Sequence, residues 1–105
     1  MDITPLTRKL VHLDLNATEY GGDPLPIAGV TVALIPHRAD VDSTTAWVAA
    51  TTWDPTTKKG TILVAGYDAD PTDAIVVPSA GADLFARVVD NPEDDPAFIE
   101  RIIYG

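Results

Sequence analysis

Seven short apolar runs punctuate this chain, each bounded by Gly, Pro, Asn or Asp, and none of them repeats with the 3.6-residue period of a helix. They read as strands. The runs are Leu6–Leu15, Val30–Ile35, Trp47–Trp53, Thr61–Ala65, Ala74–Val77, Leu84–Val89 and Phe98–Tyr104. In the first, Val11, Leu13 and Leu15 alternate with His12 and Asp14, which predicts a strand with one face in a core and one in water. Val30, Val32 and Leu34 share a parity in the second, which Pro36 closes because proline has no N–H to give a ladder.

Trp47, Ala49, Thr51 and Trp53 also share a parity, so a continuous strand places both indoles on one face, read here as interior. Asp54–Gly60 then has the Pro and Gly spacing of a hairpin loop, with Thr61–Ala65 returning. Further loops are expected at Glu19–Pro24, Gly66–Asp73 and Pro78–Gly81, and Asn91–Pro96 forms a rigid acidic corner. The last strand, Phe98–Tyr104, ends one residue before Gly105, so it is expected to lie uncovered at an edge. The prediction is an all-β, immunoglobulin-like antiparallel β-sandwich of about seven strands, one domain over residues 1–105.

Composition narrows the function classes. The chain has 105 residues with 46% hydrophobic and 22% charged, a globular balance with one core. It contains no cysteine, so disulfides, thiolate metal ligands and thiol nucleophiles are excluded. No apolar stretch approaches the roughly 20 residues of a bilayer helix, and Met1–Pro5 lacks the basic and apolar regions of a signal peptide. Folding in a cytoplasm is the expectation. The formal charge of −9 repels phosphate backbones and anionic lipid, so neither nucleic acid nor membrane is an expected partner. Of the 16 acidic residues, 13 are Asp and three Glu, which puts the acid in turns.

The residues offer three chemistries. Asp68, Asp70 and Asp73, with Glu93, Asp94 and Asp95, supply hard oxygen ligands suited to Ca²⁺, but their spacing is not that of an EF-hand, and solvated turn carboxylates explain them as well. His12 and Asp14 share a strand face as a base and its orienter would. Neither Ser43 nor Ser79 sits in a Gly-x-Ser-x-Gly elbow, so a hydrolase is not supported, and His12 reads as an exposed polar residue. Trp47 and Trp53 suit a carbohydrate platform or, more simply, a sandwich core. No catalytic, cofactor-binding or metal-binding residue is assigned, and no cofactor is expected. What remains is contact through strand edges and loops. The candidate partner-binding residues are Arg8, Lys9 and His12 on the first strand, Asn91, Glu93 and Asp94 in the acidic corner, and Glu100, Arg101 and Tyr104 on the last strand.

The order of several segments resembles the LtfC-like β-sandwich domain of small, mainly tail-associated virion proteins of phages that infect actinobacteria. The likeness is carried by Leu13-Asp14-Leu15, Gly22-Asp23-Pro24-Leu25 with Ile27, Trp47, Ile62–Gly66 and Ala82–Glu93, of which Asp90-Asn91-Pro92-Glu93 matches best. The resemblance implies a non-enzymatic structural protein of a virion, a minor tail or head–tail junction subunit, located in the particle after synthesis in the host cytoplasm. Its partners would be other virion proteins and copies of itself in a symmetric assembly. A capsid decoration protein, and a small Ca²⁺- or carbohydrate-binding module, are the alternatives.

Overall fold

A computed structural model describes residues 1–16, 29–36, 45–88 and 96–105. The described residues are all-β. Nine strands run in the order β1 (Asp2–Ile3), β2 (Arg8–Asp14), β3 (Val30–Pro36), β4 (Val48–Ala49), β5 (Thr52–Asp54), β6 (Lys59–Ala65), β7 (Ile75–Val76), β8 (Ala82–Val88) and β9 (Ala97–Tyr104). One sheet is ordered β1-β9-β8-β3-β4, and the other β2-β6-β5 with β7 also beside β6. Side chains from both sheets meet in one core. Val11, Leu13, Ile62 and Val64 enter it from the second sheet, and Val32, Leu84, Ala86, Val88 and Ile102 from the first.

Period-two burial builds this core directly. Ala82, Leu84, Ala86 and Val88 are buried while Asp83, Phe85 and Arg87 between them are half-buried, so β8 hides one face completely. In β2 only Val11 and Leu13 are buried, with Leu15 following just beyond its end. The hairpin between β5 and β6 forms as expected: the Asp54 carboxylate accepts from the Thr56 N–H at 2.9 Å, and Lys58 takes a left-handed φ of 56°. Gly60 must be glycine for want of space, because a Cβ there would stand 3.0 Å from the Trp53 ring and against the Thr52 backbone.

The structure corrects four expectations. The strand expected over Leu6–Leu15 starts only at Arg8: a turn closed by Thr7 N–H donating to the Thr4 carbonyl at 3.0 Å takes up Leu6, which is 74% exposed, and separates β2 from β1. Trp47–Trp53 is not continuous either. β4 pairs with β3 and β5 with β6, so the chain passes from one sheet to the other at Ala50–Thr51 and the shared parity of the two indoles loses its meaning. The sandwich is not purely antiparallel, since β1 pairs with β9 and β6 with β7 in parallel. Finally, the last strand is flanked on both sides over its C-terminal end, from Arg101 onward. β8 runs along one side of β9, and on the other Ile103 N–H donates to Met1 O at 3.0 Å and Gly105 N–H to Ile3 O at 3.1 Å.

Tyr104 shows how the end of β9 is fastened to the opposite layer. Its hydroxyl donates to the Val77 carbonyl at 2.7 Å and accepts from the Tyr67 N–H at 3.2 Å, while the two tyrosine rings meet edge to face at 5.1 Å. Burial pushes the phenol pKa up, which keeps the donor in place at any physiological pH. Replacing Tyr104 by Phe is expected to cost about 1–2 kcal/mol, because it leaves a carbonyl and an N–H without their partner. Urea unfolding checks this; an unchanged midpoint would show that water takes over both bonds.

Candidate functional site

The longest unpaired edge among the described strands belongs to β2. β4, β5 and β7 are two or three residues long, whereas β2 contributes seven residues and, among the described residues, pairs on one side only, with β6. The β2–β6 ladder is regular from Arg8 opposite Ala65 to Asp14 opposite Lys59. It is continued at its ends by Gly66 N–H donating to Thr7 O at 2.8 Å and Leu15 N–H donating to Lys58 O at 3.0 Å. Those two bonds fix the phase. Odd-numbered residues aim their backbone groups at β6, so Arg8, Leu10, His12 and Asp14 aim theirs away from the sheet.

The side chains of that edge divide by task. Arg8 crosses the sheet to donate to the carbonyl oxygens of Asp70 and Thr72, the latter at 3.1 Å, so it ties β2 to the loop between β6 and β7. Lys9 and His12 are exposed, and Leu10 is 48% exposed on the outer face. At the far end the Asp14 carboxylate accepts from Asn16 twice, from the backbone N–H and from the side-chain amide, each at 2.9 Å. These bonds hold its pKa below the ordinary carboxylate range, the backbone one most, with a smaller contribution from the charge of Lys59.

The acidic loop beside Arg8 is built as a turn. The Asp70 carboxylate accepts from the Thr72 hydroxyl at 2.7 Å and the Thr72 N–H at 2.9 Å, with the Arg8 guanidinium 3.9 Å away. These contacts, the hydroxyl first, lower its pKa. A carboxyl depressed in the folded state adds stability above its unfolded pKa and loses that contribution as pH falls through the folded value. Folding therefore weakens below about pH 4 through Asp14 and Asp70 together. In a Thr72→Val variant the Asp70 carboxyl is expected to titrate at higher pH, which carbon-detected NMR resolves by residue; an unmoved midpoint would remove the hydroxyl as the cause. Asp68, Asp70 and Asp73 do not converge on a common point, and among the described residues no three His, Asp or Glu side chains are placed to hold a metal.

The remaining candidates fall into two groups. Asn91, Glu93 and Asp94 lie outside the described residues, as do Asp95 and Ser43. Glu100, Arg101 and Tyr104 sit on β9, inside the first sheet rather than at a bare rim. Arg101 Nε donates to Asp83 at 3.0 Å, its carbonyl accepts from the Met1 ammonium at 2.7 Å, and Glu100 stands 3.6 Å from that ammonium. Arg8, Lys9 and His12 are thus together on the β2 edge; on β9, Tyr104 turns toward the core and the second sheet, while Arg101, opposite Asp83, belongs to a separate surface, the outer face of the first sheet.

That surface has members the sequence reading passed over. Ala33 and Ile35 are buried yet stand outside the core cluster, on the far face of β3, and Ala33, Phe85 and Phe98 lie opposite one another across three strands. The Phe85 and Phe98 rings meet edge to face at 5.8 Å, with Phe98 53% exposed. Beside them the Arg87 guanidinium lies 4.5 Å over the Trp47 ring, so Trp47 caps this outer face while Trp53 packs partly into the core. The signal was present in β8, where burying Leu84 and Ala86 turns Phe85 and Arg87 outward. The irregularity in β9 between the partners of Leu84 and Phe85 then brings Phe98 to the same side. No family model, curated protein or solved structure matches the chain.

Proposed function

We propose that the protein is a non-enzymatic structural subunit of a bacteriophage virion, at the tail or the head–tail junction, whose work is protein–protein contact. The observation that carries this reading is the edge of β2, unpaired among the described residues, a regular seven-residue strand that presents backbone donors and acceptors beside exposed Leu10. Such an edge is a template for a neighbour's strand, and natural proteins cover or shorten edges they do not use. The exposed aromatic face around Phe98 supplies a second apolar contact. Segment order along the sequence, with its likeness to small actinobacteriophage virion proteins, supports the setting.

An antibody against the folded chain, applied to purified particles of a phage that encodes it, tests this. Labelling at the tail or its junction, with tens of copies per particle by quantitative mass spectrometry, is the expected result. Label spread over the shell in hundreds of copies would replace it with capsid decoration. Particles free of the protein would end the virion reading.

A further inference from the structure

We infer that the β2 edge is filled by the β2 edge of a second copy of this chain, antiparallel and about a two-fold axis through Val11, joining two sandwiches into one continuous sheet. The inference rests on the contact reading above and adds the partner and the register.

Charge along the strand selects the arrangement. β2 carries Arg8 and Lys9 at one end and Asp14 at the other, so a parallel copy sets like charge on like, while an antiparallel copy sets each basic end beside an acidic one. Phase selects the register. Only even-numbered residues direct backbone groups outward, so bonded pairs must join even to even: Arg8 faces Asp14 and Leu10 faces His12 of the copy. All four outward residues are used in that register. A shift by two in either direction leaves one out, and sets either Arg8 against His12 or Leu10 against Asp14. The Val11-centred pairing gives about eight interchain hydrogen bonds. It also covers the exposed face of Leu10 with the imidazole of the copy.

The geometry also closes. A two-fold contact consumes the same edge on both partners, so it ends at a dimer instead of propagating. Among the described residues β4, β5 and β7 are two or three residues long, and the stretches of β3 and β9 that β4 and β1 leave unpaired are shorter than β2 as well, so none nucleates a comparable pairing.

Light scattering on the full chain, from micromolar to several hundred micromolar, is expected to show twice the monomer mass. Leu10→Pro removes an outward N–H and no internal ladder bond, so it is expected to give a monomer with an unchanged circular dichroism spectrum. His12→Pro makes the same test two residues away should Leu10→Pro unfold. Because the chain has no cysteine, register is read by oxidising a mixture of Leu10→Cys and His12→Cys proteins. A cross-linked dimer that forms in the mixture and not in either variant alone is expected, since bonded-pair Cα atoms lie about 5.5 Å apart.

A wild-type monomer throughout the range overturns the self-pairing, whatever strand fills the edge in a particle. A dimer that survives either folded proline variant overturns it too, as does a cross-link in Leu10→Cys alone. A monomer present in purified particles would sink the pairing and leave the virion role standing. A cross-linked dimer absent from particles would do the reverse.

Discussion

Gly66→Ala is expected to destabilise the protein by about 3 kcal/mol, among the larger effects available to a single added methyl group. Gly66 has no left-handed φ to explain it; the reason is space. A Cβ there would stand 2.5 Å from the Thr4 carbonyl oxygen and 2.6 Å from the Pro5 carbonyl carbon, both main-chain atoms of the turn between β1 and β2. No rotamer relieves that clash, so the turn must move. The Gly66 N–H bond to Thr7 holds the same turn from the other side, and β1 is positioned against β9 by where the turn leaves it. Urea unfolding should therefore show a lower midpoint at unchanged slope. Amide exchange at Ile103 and Gly105 should rise, since both N–H groups bond to β1. Normal protection at those two amides would mean that the turn yields without releasing the strand.

Leu84→Ala is expected to cost about 3 kcal/mol as well, and to lower the melting temperature by roughly 15 °C. Leu84 is fully buried at the middle of β8, opposite Leu34 on one side and Glu100 on the other. The facing layer is a second sheet stitched to the first by short crossings, and it cannot settle into the gap. A drop of less than about 5 °C in a calorimetric scan would show that the layers do collapse. Phe85→Ala, one residue along, provides the contrast. Phe85 lies on the outer face with Phe98, so its loss removes an edge-to-face contact worth about 1 kcal/mol and some half-exposed apolar area.

The alternation of β2, β3, β6 and β8 was legible because each is long enough to show its period and stays in one sheet. Val11, Leu13, Ile62, Val64, Leu84 and Ala86 follow from that rule alone. Trp47 and Trp53 did not, since parity orders side chains within a strand and carries no word about which sheet the strand joins. β1 escaped because two residues have no period, and with it went the partner that flanks β9. The edge at Arg8, Lys9 and His12 was readable from their polar composition, although the capture of Arg8 by the Asp70 loop is a contact sixty-two residues away in sequence. The outer face of Phe85 and Phe98 required knowing the irregularity in β9, which shifts the parity of one strand relative to its neighbour.

The parallel pairing of β1 with β9 also decides how the domain bears a load. Tension that enters through β1 and leaves through β9 pulls the two strands past each other along their length. The bonds from Met1 to Arg101, Ile103 to Met1 and Gly105 to Ile3 are then strained together instead of parting one by one. A module strung in a filament would resist stretching through this clasp, with the core behind it shielded until the clasp slips.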